Sequence, residues 1–255
     1  MKKMLAVLLV ASLAVSSLFA GGAKESSDSQ AKTYVFAADA TWPPMEFVDE
    51  AGNLTGFEVE LMPLVGKEVG MDFEVKNIPW DTIFAGLANG AYDGVSSGVT
   101  VTDERKKTMD FSTPILSNGQ VVVVLAKDKD TVKSVKDLPS KANVGVQIGT
   151  TGDFALAGYD VTVKRYDDIG LAIQDMLNGN LAACVCDSLI ASDFVLANKN
   201  YQGKLAIAGA PFTQEDIAIA VQKGNKALLD KINEGLAKMQ QDGSLNELKK
   251  KWNIL

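Results

Sequence analysis

Histidine is absent from this 255-residue chain, cysteine occurs twice, and arginine occurs only twice against 23 lysines. Without histidine the chain lacks the usual proton shuttle near neutral pH and cannot complete a mixed Cys/His metal site. Cys184 and Cys186 fall in an apolar, strand-like run. Side chains two apart on a strand point the same way, which is poor disulfide geometry, so both are read as small buried hydrophobes. There is no phosphate-cradling P-loop either. No metal, cofactor or catalytic residue is expected. The shortage of arginine makes each one informative. A chain that meets most needs for positive charge with lysine keeps arginine where a planar, two-pronged donor matters, and a bound carboxylate is the commonest such need. Arg105, in the run Ser97-Gly-Val-Thr-Val-Thr-Asp-Glu-Arg105, is the first candidate for holding a ligand, against a plain structural salt bridge. Arg165 lies in a mixed-charge stretch and reads as structural.

The N-terminus has the pattern of a targeting segment. Lys2 and Lys3 precede an uncharged apolar run, and small residues follow near Ala20 and Gly21, so residues 1–20 read as a signal peptide for export. Residues 21–32 offer nothing to bury and read as a flexible tether. Omitting residues 1–20 removes two lysines and no acids, leaving 23 basic against 32 acidic residues, a net charge of −9. That balance argues against nucleic acid or an anionic membrane surface as partner. Lys249-Lys250-Lys251 closes a C-terminal helical pattern and reads as a favourable dipole end.

Beyond the tether, short apolar runs alternate with amphipathic stretches. Strands are expected over residues 34–37, 73–75, 93–96, 121–125, 144–147, 161–163, 182–186, 204–207 and 217–221. Helices are expected over 56–69, 82–89, 169–178, 188–197, 226–240 and 245–252. Asn225 is placed to cap the penultimate helix, and Ser244 with Glu247 reads as a capping box for the last. Such alternation implies an α/β protein with mostly parallel sheets.

Several motifs then occur in a telling order: Asp39-Ala-Thr-Trp-Pro-Pro-Met-Glu-Phe47, Gly56-Phe-Glu-Val-Glu-Leu61, Trp80-Asp-Thr-Ile-Phe-Ala-Gly-Leu87, the run ending in Arg105, Val144-Gly-Val-Gln-Ile-Gly-Thr-Thr-Gly152, and the segment from Ala182 to Asp187. Together they resemble the periplasmic polar amino-acid-binding proteins of ABC importers, over essentially the whole chain after the tether. The resemblance implies a two-lobed periplasmic-binding-protein fold of type II with a two-stranded hinge. It puts residues 33–115 and 215–255 in one lobe and 116–214 in the other. It also implies a free L-amino acid as ligand, a membrane permease as partner, and a monomer.

Carried over by position, the resemblance sets the ligand α-carboxylate against Arg105, Thr100 and an amide of the Gly149-Thr150-Thr151 turn. A helix N-terminus facing an arginine fork is sensible anion chemistry in any case, although a plain strand-to-helix turn fits the same residues. Asp187 would take the α-ammonium, aided by a carbonyl of Ser97 or Gly98; as an isolated residue it reads equally as an N-cap. Trp42 and Trp80 would sandwich the ligand side chain, where isolated tryptophans read as core. Asp39 would reach the distal end of that side chain. Gln147 has the residue type of arginine-binding relatives, with a strand-end polar residue as the alternative. Two aromatic faces and an acid favour a cation, arginine or another basic amino acid. A glutamine or glutamate carrier, an enzyme such as a dehydratase or lyase on the same scaffold, and a sensing module remain alternatives.

Overall fold

The computed structural model describes residues 32–254. The signal peptide and all of the tether except Lys32 lie outside the described residues. Two five-stranded sheets form the body. The first has the order Asp72–Asn77, Thr33–Ala38, Gly94–Val95, Ala220–Gln222, Met109–Phe111. The second has the order Val161–Tyr166, Ala142–Gln147, Ala183–Asp187, Gln120–Leu125, Leu205–Ala208. The antiparallel pair Leu116–Asn118 and Glu215–Ile217 connects the two halves. This is the expected two-lobed α/β architecture with a two-stranded connection.

The sheets are mixed rather than mostly parallel. In each, the strand following a βα crossover pairs in parallel, as in Thr33–Ala38 beside Asp72–Asn77 and Ala142–Gln147 beside Val161–Tyr166. Antiparallel pairs arise around Ala220–Gln222 and Gln120–Leu125, the strands that follow the connector. A strand arriving from the other half enters its sheet from the cleft side, opposite in direction to strands that end there. Val121 to Val124 are almost fully buried, so a central strand covered on both faces reads as an unbroken apolar run.

Helix Lys226–Asp242 turns Leu228, Ile232, Leu236 and Met239 inward, each stabilising by about 1.5–3 kcal/mol when buried. The Asn225 side chain accepts from the Leu228 amide, as expected. The Ser244/Glu247 capping box does not form. Gly243, left-handed at φ 86, joins Lys226–Asp242 directly to Ser244–Lys251, so Ser244 is already helical and its amide donates to Asp242 Oδ1 at 2.8 Å. Glu247 pairs with Lys250 instead. The expected strand 217–221 is divided between the connector and the first sheet, and the expected helix 188–197 is the α-helix Ser188–Ser192 followed by a π-helical turn, Asp193–Ala197. Cys184 and Cys186 are buried free thiols. Among the described residues no helix is long and apolar enough to cross a membrane, and no cluster of acidic and cysteine side chains suits a metal ion.

Candidate functional site

The parallel strands of both sheets end at one place. Asp39 follows Thr33–Ala38, Ser97 lies just past Gly94–Val95, Gln147 closes Ala142–Gln147, and Asp187 closes Ala183–Asp187. A crevice beyond the carboxyl ends of such strands is where α/β folds leave room for ligands, because strand-end loops there can vary without disturbing the sheet. A narrow cavity lies there, lined from both sheets. Its wall contains all eleven residues singled out in the sequence: Asp39, Trp42, Trp80, Ser97, Gly98, Thr100, Arg105, Gln147, Thr150, Thr151 and Asp187. Glu46 also lines it.

Arg105 opens the short helix Arg105–Thr108 and points its guanidinium into the cavity's polar end. Nη1 donates to the Thr100 carbonyl at 3.0 Å and Nη2 to the Gly149 carbonyl at 3.4 Å. The guanidinium also lies 5.5 Å from the Trp80 ring centre and 5.0 Å from that of Phe84, a cation–π arrangement. Among the described residues no carboxylate comes within ion-pairing distance of it. Burial lowers its pKa to about 10, leaving it protonated at neutral pH. Opposite stands the helix Thr151–Ala155, capped by Thr150, whose hydroxyl accepts from the Asp153 amide. Its first-turn amides lack intrahelical acceptors. Arg165 is structural, as its surroundings implied. It donates to Asp153 at 2.8 Å, and Asp153 in turn accepts from the Gly149 amide at 3.2 Å.

Asp187 does not cap the following helix with its side chain; Oδ1 accepts from Asn118 instead. Burial, with Glu215 adding to it, raises its pKa to about 7. Trp42 is 8% exposed, on the short strand Thr41–Trp42. It packs against Gly98, where any β-carbon would sit 2.3 Å from the ring, and whose φ of 56 also favours glycine. Trp80, 9% exposed, packs edge-on to Phe84.

Asp39 and Gln147 touch each other: Gln147 Nε2 donates to Asp39 Oδ2 at 2.9 Å and to the Asp167 carbonyl at 3.0 Å. Burial raises the Asp39 pKa. Glu46 is the residue that sequence reasoning missed. It is fully buried, accepts from Ser97 Oγ at 2.8 Å through Oε1, and leaves Oε2 without a partner. Burial and the neighbouring Glu58 hold its pKa well above the usual range, and burial raises that of Glu58 to about 7. The available signal was a lone acid between two apolar residues, Met45 and Phe47. The stretch from Gly94 to Gly98 has Gly-x-Ser-x-Gly spacing, yet Ser96 is fully buried, its hydroxyl donates to Glu58, and the chain has no histidine to take its proton.

Residues 34–254 match the bacterial extracellular solute-binding proteins, family 3, and the chain belongs to that family. It is 37% identical to a probable histidine-binding protein of Neisseria gonorrhoeae, over 99% of this chain and 96% of that one. It is 36% identical to the L-cystine-binding protein of Escherichia coli K12, over 97% of this chain and 92% of that one. An ancestral arginine-binding protein solved with arginine superposes with a TM-score of 0.80 at 37% identity, covering 86% of this chain and 97% of that one.

Proposed function

We propose that this protein is the exported, periplasmic substrate-binding component of an ABC importer. It takes a free polar L-amino acid between two lobes, residues 33–115 with 215–255 and residues 116–214, and hands it to a membrane permease. The observation that carries this reading is Arg105, a partly buried guanidinium with no carboxylate partner among the described residues, facing acids across one cavity. A zwitterion satisfies both ends: its carboxylate meets Arg105 and the amides of Thr100, Thr150 and Thr151, and its ammonium meets Asp187.

The ligand side chain then runs between Trp42 and Trp80 towards Asp39, Gln147 and Glu46. Two aromatic faces and carboxyls at the far end favour a cation, with arginine first. Relatives named for arginine, histidine and cystine support an amino acid without choosing among them. One observation favours glutamine as a second reading: the Gln147 carboxamide already donates to Asp39, so this end of the cavity accepts a neutral amide. The enzyme reading finds little support, because the one serine at elbow spacing is sealed against Glu58.

Calorimetry of refolded, ligand-stripped protein against the twenty amino acids and cystine tests the proposal. Arginine is expected to bind tightest. Tighter binding of glutamine or glutamate would replace the cationic assignment and keep transport, while no binding by any amino acid would overturn the function.

A further inference from the structure

Glu215 was not among the expected site residues and does not line the cavity. It begins the connector strand Glu215–Ile217 and stands behind the cavity wall, in an outer groove bounded also by Val101, Thr102 and Gln214. Its Oε2 accepts from Thr151 Oγ1 at 2.7 Å, from Thr100 Oγ1 at 3.0 Å and from Gln120 Nε2 at 3.3 Å, and its Oε1 accepts from Thr213 Oγ1 at 2.7 Å. Thr100 and Thr151 lie 3.3 Å apart.

A hydroxyl has one proton to give. Gln120 Nε2 donates into Thr151 Oγ1 at 3.0 Å, so the Thr151 proton has to point elsewhere, and a carboxylate oxygen at 2.7 Å is the strongest acceptor within reach. Thr100 faces the same oxygen. Both hydroxyls at the carboxylate end of the cavity therefore turn their protons away from the ligand, towards an anion belonging to the protein.

We propose that Glu215 is a positioning residue that limits affinity: it claims the Thr100 and Thr151 protons, leaving the ligand's α-carboxylate to Arg105 and the backbone amides. This rests on the reading that an amino-acid carboxylate occupies that end of the cavity. Two further features agree. Glu215 is a second negative charge behind the place where the ligand carboxylate would lie, and it adds to the upward shift of Asp187, the proposed ammonium partner. Because Glu215 sits on the connector, the arrangement ties the carboxylate end of the site to the element about which the halves would move.

The test is E215Q, which keeps shape and removes charge. Calorimetry at pH 7 is expected to show arginine bound about tenfold tighter than by wild type, with slower release in stopped flow. The gain should disappear for arginine amide, which lacks the carboxylate; a merely structural change would not distinguish these two ligands. Unchanged or weaker arginine binding by folded E215Q overturns the proposal, as does an equal gain for arginine amide. Should E215Q not fold, Thr100→Val serves. A loss below threefold supports hydroxyls serving Glu215, and any greater loss overturns it. Wild-type protein that binds no amino acid would overturn the functional reading and this proposal together, whereas wild-type binding without the E215Q gain overturns this proposal alone.

Discussion

Among the described residues the Arg105 guanidinium meets only carbonyl oxygens, and carbonyls solvate a guanidinium without neutralising it. Its counter-charge is expected to be the ligand. Arg105→Lys keeps the charge and loses the fork, and is expected to weaken amino-acid binding by about 2–4 kcal/mol while the protein remains folded; unchanged affinity would make Arg105 structural. Asp39 makes a sharper distinction. Asp39→Asn is expected to reduce arginine binding about tenfold or more and to spare glutamine, because only the cation loses a charge-assisted partner. Equal loss for both would mean that Asp39 merely holds Gln147. Asp187 carries a pH dependence. With the cleft as in this structure its carboxyl titrates at about 7, and an arriving ammonium favours the charged form, so binding lowers that pKa and releases a proton. Affinity is therefore full above pH 7 and falls as pH drops through 7, by up to about tenfold per unit. Glu58 titrates in the same range, so the profile is measured also for Asp187→Asn, where the slope should flatten; a slope unchanged by that substitution would assign the dependence elsewhere.

At the scale of elements, the turn from Ala142–Gln147 into Thr151–Ala155 shows how the site is kept in shape. The Gly149 amide is held by Asp153, whose side chain is nearly buried, while Arg165 approaches from the surface with its side chain about half exposed. Arg165→Ala is expected to cost under about 1 kcal/mol, as exposed ion pairs do. Asp153→Ala, which strands a backbone donor, is expected to cost about 1–3 kcal/mol in urea unfolding. Equal effects would overturn this ranking.

Such local order was legible in the sequence where it depends on neighbours along the chain: the Asn225 cap, the inward stripe of Lys226–Asp242, the strand-end positions of Asp39, Gln147 and Asp187. What escaped depends on distant partners. The residues after Glu215 look like one strand until the connector and the first sheet each claim part of them. Ser244 has an N-cap's sequence context but is displaced by the helix immediately before it. Glu46 and Glu215 carry no local mark of burial or of bridging, since their partners lie 51 residues away at Ser97 and 115 and 64 away at Thr100 and Thr151. The ligand-site motifs were legible as a family pattern, yet that pattern did not contain the Gln147–Asp39 bond.

For the whole molecule, the chain passes between the halves through one antiparallel pair, Leu116–Asn118 with Glu215–Ile217. Facing groups across the cleft meet through a few side-chain bonds: Gln147 to Asp39, Arg105 to the Gly149 carbonyl, and Thr100 beside Thr151. Hydrogen bonds of this kind contribute about 0.5–1.5 kcal/mol each, together on the order of the few kcal/mol that separate two states in ready exchange. A ligand touching Arg105 and Trp42 on one side and Thr151 and Asp187 on the other makes its full set of contacts only when the halves are together. Its differential affinity therefore shifts the population towards the closed form. Small-angle scattering is expected to give a smaller radius of gyration with saturating arginine than without. Gln147→Ala, which removes one cross-cleft bond without touching the carboxylate end, is expected to widen that difference by opening the free form. A radius that stays the same in both proteins when calorimetry shows the site to be full would mean that the cleft is preformed, and that ligand enters without hinge motion.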